Sequence, residues 1–206
     1  MTTVLPIVRA SAIEIRDAAA LIAAALHPQP LGAWLVPDEH HRGPVLTAWA
    51  RIWTEHAFLW GHIHLHDTRT AVAVWLTHNR TTIAPVDYQR RLTNACGPHL
   101  HRFQILDELL DSTRPTEPHH HLVFLATHPD HQGAGHANTL LRHHEPGSLP
   151  AWSQAISPAG IRLLTKHGFV GRDPVALPDD AGQIAPMWRP TQTAPDAQGP
   201  CSNQQR

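Results

Sequence analysis

The sequence predicts a mixed α/β or α+β domain, and three observations carry that reading. Helical periodicities and short apolar runs are interleaved along the 206 residues. Residues 121–127 (HLVFLAT) form a nearly continuous apolar run bounded by Pro118 and Pro129, as suits a central strand covered on both faces. Two short strands, near 169–177 and 184–189, give the chain a hairpin-like end. The length suits one domain and is enough to bury a core without disulfide or metal staples. There is no internal repeat.

The elements follow in order. Residues 4–8 (VLPIV) read as a first strand. Ser11 and Glu14 have the spacing of a capping box, and Ala18, Leu21, Ile22, Ala25 and Leu26 continue at helical spacing. Pro28 and Pro30 stop that helix. A second helix spans about 44–60, where Val45, Trp49, Ile52, Trp53 and His56 recur at three and four, and Gly61 ends it. Residues 62–76 read as a hairpin, with Ile63 and Leu65 alternating with histidines before the run AVAVWL. Helical stretches at 87–95 and 99–111 are divided by Gly97 and Pro98. After the strand at 121–127 come a turn at 132–135 and a helix over 135–144 ended by Pro146 and Gly147. A strand at 151–156 follows. Ser157 and Pro158 then start a helix that runs to about 167. The domain is expected over 1–189, with a polar, disordered tail over 190–206.

Composition excludes several classes. Net charge is −1 and only 16% of residues are charged, so a dedicated nucleic-acid surface is not expected. The longest apolar run, residues 18–26, is far short of a membrane span and follows charged residues, so neither an anchor nor a signal peptide is expected. Cys96 and Cys201 are isolated, which leaves the cytoplasm as the default compartment. Fifteen Arg beside a single Lys reflect compositional bias rather than chemistry.

The informative stretch is 121–137, HLVFLATHPDHQGAGHA. A buried strand leads through a short loop into Gln132, Gly133, Ala134, Gly135, His136 and Ala137, which open a helix. Backbone N–H groups in such a turn point one way, and the helix adds its unsatisfied N–H groups and positive dipole end. The pair suits a phosphate or pyrophosphate. The residues are also compatible with an ordinary tight strand-to-helix connection. They form neither a Walker loop nor a GxGxxG fingerprint.

Here the sequence resembles the GNAT superfamily of N-acetyltransferases. Gln132, Gly135 and Ala137 stand in register with its acetyl-CoA loop, Gln-x-x-Gly-x-Gly/Ala. Residues 163–169 (LLTKHGF) are similar to its Leu-Tyr-x-x-x-Gly-Phe, and Pro186, Met187, Trp188 and Arg189 resemble the last strand of a subgroup common in actinobacteria. The resemblance covers about 4–189 and is strongest over 119–169. It implies a central, mixed, mostly antiparallel sheet splayed between the strands at 121–127 and 151–156 and flanked by helices. Acetyl-CoA would be the co-substrate, with no metal. Its pantetheine arm would pair with backbone near Leu125, Ala126 and Thr127, and its pyrophosphate would rest on the N–H groups of residues 132–137. A backbone N–H near Ala126 would hold the oxyanion as an amine attacks the thioester directly.

Three departures bear on turnover. Leu164 stands where the family usually has the Tyr that protonates the leaving thiolate, and the only other candidate, Tyr88, is far away in sequence. A general acid typically contributes about 10²–10⁴-fold, so a slow enzyme is compatible with the sequence. Ser157 stands where Asn is common; it can cap the helix and contact the cofactor. The link between the loop helix and Ala151 is about one helical turn short.

For the general base, the position that holds Glu in some members is His121 here. Its ordinary pKa of about 6.5 fits proton transfer near neutrality. The alternative is that His121 is only the polar entry residue of its strand, and Gln154 could only orient a ligand. Paired histidines, among them His64 and His66 beside Asp67, invite a metal site, but a solvated hairpin face explains them too. Trp49 and Trp53 read as core. Trp34, placed in a loop between Pro30 and Pro37, is the candidate for the acceptor pocket. Asp38 and Glu39 either attract a cationic amine or start a helix.

The function expected is acetyl transfer to a primary amine of a small molecule or peptide, by a monomer or homodimer. The alternative is a catalytically weak or inactive acyl-CoA-binding protein of the same fold, with a sensing or interaction role. A third is a histidine-based metal-binding protein.

Overall fold

The computed structural model describes residues 6–79, 84–144 and 149–191. The first part of the expected strand at 4–8, the expected helix break at 145–147 and the expected tail beyond 191 lie outside these residues.

Strand β1 (Ile7–Arg9) leads to Ser11, whose backbone N–H and hydroxyl both reach Glu14 Oε2, at 2.9 and 2.8 Å. This capping box starts a helical turn that continues as α1 (Ile15–Leu26). Pro30 does not merely end a helix. It sits at the first position of a further one, α2 (Pro30–Leu35), because its fixed φ and missing N–H suit a helix start. Trp34 is therefore helical, which corrects the loop expected there.

Helix α3 (Glu39–Trp60) begins five residues before Pro44. Asp38 caps it, accepting from the His40 N–H at 2.9 Å, so the helix-start reading of Asp38 and Glu39 prevails. Pro44 lies inside the helix, where it forgoes a single intrahelical hydrogen bond. Strands β2 (Gly61–His66) and β3 (Ala71–His78) form the expected hairpin. Then come α4 (Tyr88–Cys96), α5 (Leu100–Ser112), β4 (His119–Thr127), α6 (His136–His143), β5 (Ala151–Ala155) and α7 (Pro158–Lys166). Short strands β6 (Val170–Gly171) and β7 (Val175–Ala176) precede β8 (Gln183–Arg189).

The eight strands form one mixed sheet in the order β1-β2-β3-β4-β5-β8-β6, with β7 also on β8. All neighbours are antiparallel except β4 and β5. β3 shows why an uninterrupted apolar run belongs in the middle. Val72, Val74 and Leu76 pack under α1–α5, while Ala71, Ala73 and Trp75 pack on the opposite face with Leu140 and Leu141 of α6 and Leu164 of α7. Each fully buried aliphatic side chain stabilises the fold by about 1.5–3 kcal/mol.

Candidate active site

Two irregularities of β4 build the site. The first is a bulge: Phe124 faces Val74 and Leu122 faces Trp75, so Val123 has no partner on β3. Val123, Phe124 and Ala126 consequently share one face, and Leu122 and Leu125 take the other. The second is a splay. β4 and β5 pair only at His120–Ala151, His121–Trp152 and Leu122–Ser153. At the fork, the Ser153 hydroxyl donates to the Leu122 carbonyl at 3.0 Å. From Val123 to Thr127 the β5-facing edge of β4 is unpaired, and unpaired strand backbone is a template for an extended ligand with amide groups.

The splay opens into a cavity of about 1500 Å³, and the starts of α6 and α7 both face it. Gly133 (φ +84°) and Gly135 (φ +86°) hold left-handed conformations that disfavour a side chain. A Cβ built on either would meet nothing within 4 Å, so the loop leaves a bare concavity at the helix start. The first intrahelical bond runs from the Thr139 N–H to the Gly135 carbonyl. Before it, the N–H groups of the opening turn have no intrahelical partner and are open to an anion.

The β2–β3 turn braces this loop. The Thr70 carbonyl accepts from the His128 N–H at 2.8 Å, and the Thr70 hydroxyl meets His136 Nδ1 at 2.8 Å. The His136 ring stacks on His66 at 4.0 Å. Ser157 caps α7, its Oγ accepting from the Gly160 N–H at 3.1 Å.

The other end of the cavity is walled by α3, α4, α5 and the start of β4. His121 is 7% exposed; its Nδ1 lies 3.3 Å from His78 Nε2, and its Nε2 has no hydrogen-bond partner among the described residues. Burial holds its pKa well below 6.5. The imidazoles of His78 and His119 and the charge of Arg114 act in the same direction, while Gln154 pulls weakly the other way. Burial likewise lowers His78 to about 4. In the same cavity Tyr88 donates to Asp107 Oδ2 at 2.7 Å. Burial raises the Asp107 carboxyl to about 6, against the Tyr88 hydrogen bond and Arg114 and with the help of Asp111. It also raises the Tyr88 hydroxyl.

No family model matches the chain. Solved structures do. The histone acetyltransferase HPA2 and related acetyltransferase of Corynebacterium glutamicum is 19% identical, with a TM-score of 0.66 over 91% of this chain and 97% of that one. A GCN5-related N-acetyltransferase of Rhodopseudomonas palustris is 13% identical, with a TM-score of 0.51 over 92% and 98%. The polyamine N-acetyltransferase of Drosophila melanogaster is 14% identical, with a TM-score of 0.54 over 89% and 98%. At such identities the shared property is the fold. This chain has the GNAT fold.

Within the GNAT fold the expected site residues gather around one cavity. His121, Leu125, Ala126, Thr127, Gln132, Gly133, Gly135, His136, Ala137 and Ser157 all line it. Ala134 belongs to the same loop without lining the cavity. Trp34 is not among the lining residues. It is 6% exposed in the core, and its indole N–H donates to Asp179 at 3.2 Å. Trp49 and Trp53, expected only as core, are the tryptophans that line the cavity. The reason is helical phase: both lie on the α3 face that looks over the sheet, where packing stops short of closure.

Leu164 is 3% exposed and packs with Phe169 and Leu140, so an apolar side chain suits its place. Sequence reasoning placed a helix at 99–111 but gave it no part in the site, where α5 (Leu100–Ser112) forms a wall. Gln104, Asp107, Glu108 and Asp111 share one helical face and line the cavity. That spacing was readable in the sequence, but nothing there distinguished a face turned to a cavity from one turned to solvent. Among the described residues no group of three or more His, Cys, Asp or Glu is disposed to hold a metal ion. Nor, among them, is any helix long and apolar enough to cross a membrane.

Proposed function

We propose that the chain is an acetyl-CoA-dependent N-acetyltransferase that acylates a primary amine of a small molecule or peptide by direct attack. One observation carries the reading: the unpaired β4 edge and the bare glycine concavity at the start of α6 open into the same cavity. The first fits an amide-bearing arm and the second a pyrophosphate. The neighbour from Drosophila, named for polyamine acetylation, supports a small amine as acceptor.

Acetyl-CoA would supply the activated acetyl thioester. Backbone groups of Leu125, Ala126 and Thr127 hold the arm in extended form, and the N–H groups of Gln132 to Ala137 take the phosphates. A backbone N–H near Ala126, on the unpaired edge of the strand, would stabilise the oxyanion that develops as the amine attacks. His121, which burial keeps neutral, lines the cavity and is the candidate for the group that accepts the proton the amine must lose. Leu164 has no proton to give, so water protonates the thiolate and turnover is slow.

The buried Leu164 specifically favours one second reading, an acyl-CoA-binding protein with little or no turnover. Thiol release from acetyl-CoA over a panel of amines separates the two. Amine-dependent release, raised by Leu164→Tyr, supports the enzyme. Cofactor binding without release under any amine supports the binder. The reading extends to one domain over 1–189, monomeric or homodimeric, in the cytoplasm. The Pro186 to Arg189 segment of β8 supports the actinobacterial-type subgroup.

A further inference from the structure

Arg and Lys are the ordinary side chains for holding phosphate. The cofactor loop has neither: between Arg114 and Arg142 the chain contains no Lys or Arg, so β4, the loop and the first turn of α6 supply no permanent cation. Its ionisable cations are His128, His131 and His136. His131 and His136 both line the cavity, and their rings lie 6.3 Å apart. His128 is 5.9 Å from His131 and 3.7 Å from the Asp130 carboxylate. Of the neighbouring elements, α7 brings Arg162 to the same cavity, while Arg69 of the β2–β3 turn is paired with Glu14 at 2.6 Å.

His136 is tied to a second imidazole in two ways. Its ring stacks on His66 at 4.0 Å. Its Nδ1 also ends a chain of hydrogen bonds that begins at His66. His66 Nδ1 meets the Thr68 hydroxyl at 2.7 Å, Thr68 meets Thr70 at 2.7 Å, and Thr70 meets His136 Nδ1 at 2.8 Å. The Asp67 carboxylate lies 3.0 Å from His66 Nδ1. The chain can run in two directions. When His136 Nδ1 accepts, His66 Nδ1 donates; when His136 is charged, its Nδ1 donates and His66 Nδ1 accepts. Charging both stacked rings is opposed by like-charge repulsion, so the pair holds one added proton. In either direction the His136 Nδ1 is occupied, which leaves Nε2 as the ring nitrogen for a ligand.

We infer that phosphate binding draws a proton onto His136, so that capture of the cofactor is coupled to proton uptake at the His66–His136 pair. A phosphate at the loop favours the imidazolium, and a charge-assisted hydrogen bond from Nε2 strengthens the hold. The complex then carries more protons than the free protein, so affinity rises as pH falls. In the free protein, burial lowers the His136 pKa from 6.5; His66 and His131 act in the same direction and Asp67 against it. The bound anion moves it upward, which brings the coupling toward neutral pH. His131 is close enough to add to the effect. This inference rests on the acetyltransferase reading and gives its cofactor site a pH dependence that backbone N–H groups alone do not have.

The probe is dephospho-CoA, whose pyrophosphate keeps a constant charge between pH 6 and 8. The 3′-phosphate of CoA titrates in this range and would contribute protons of its own. Binding is measured by calorimetry at pH 7 in buffers of different ionisation enthalpy, which gives the number of protons taken up. The expected uptake is about 0.3–1 proton per ligand, with affinity about tenfold higher at pH 6 than at pH 8, the factor that one unit of pKa shift corresponds to. His136→Gln should remove most of the uptake and most of the pH dependence. The double variant His131→Gln, His136→Gln should show neither. A purely structural role for these rings would change the affinity without changing the proton count.

Binding without proton uptake by the unaltered protein overturns the inference, whatever the variants do. So does uptake that survives in the folded double variant. Failure of dephospho-CoA to bind where CoA binds overturns it too, since the loop then does not hold the pyrophosphate. If neither CoA nor acetyl-CoA stabilises the protein, the acetyltransferase reading falls and this inference with it. If they stabilise it and binding draws no proton, only this inference falls.

Discussion

At the scale of single residues, burial changes what the side chains can do. His121 has an ordinary pKa of about 6.5 by type, which would put a kinetic titration near neutrality. Inside the fold its pKa is well below that value, chiefly through burial. It is therefore already neutral through the whole physiological range. The acid limb of kcat/KM owed to this group should lie well below pH 6.5, not between 6 and 8. His121→Gln should reduce kcat by about 10²-fold or more and remove that low limb, since a general base typically contributes about 10²–10⁴-fold. An unchanged rate and profile in a folded variant would remove His121 from the chemistry.

The residue identities in the cofactor loop were legible because glycine at a helix start has a local physical meaning. Tyr88 and Asp107 were not legible. They are nineteen residues apart on different helices, and only the α4–α5 packing brings the hydroxyl to the carboxylate.

At the scale of elements, sequence periodicity located nearly every helix and strand, because most are set by local pattern. The capping box before α1, the alternation in β2 and the Ser157-Pro158 start of α7 are all short-range signals. Losing the Ser157 hydroxyl should cost about 1 kcal/mol. Ser157→Ala should then lower the melting temperature by about 2–4 °C. A shift of zero would mean that the α7 start is held by its packing alone.

The misjudged elements share a cause. α2 and the start of α3 are short helical stretches next to prolines, and proline reads equally as a stop or a first position. The β4 bulge was invisible for a different reason. Residues 121–127 are apolar on both faces, so a one-residue change of phase leaves no trace in the pattern.

Across the whole molecule, the histidine surplus has a thermodynamic consequence. Burial lowers His78 to about 4 and His144 to about 3, and both are less than 10% exposed. His121 shifts the same way. In the unfolded chain these imidazoles titrate near 6.5, so between that value and their folded values the unfolded state binds more protons. Stability is therefore complete above pH 6.5 and is lost as pH falls toward 4 and below. Each linked proton adds about 1.4 kcal/mol per pH unit to the slope. Asp107, raised to about 6, opposes this with a single group below pH 6. The melting temperature should fall steeply from pH 6.5 to 4.5. A flat profile over that range would mean that these rings are not buried and neutral.

The cavity that joins the β4 splay to the α6 start belongs to this scale, because the walls come from both halves of the chain. Its most direct test is thermal unfolding with acetyl-CoA, alongside the Gly135→Val variant. At a ligand concentration about 100-fold above its dissociation constant, binding adds about 2.7 kcal/mol. For a domain of this size that corresponds to a rise of about 5–10 °C. The unaltered protein should show this rise, and Gly135→Val, whose side chain would occupy the bare concavity, should show little of it. No rise at millimolar acetyl-CoA, or an equal rise in the variant, would contradict the account.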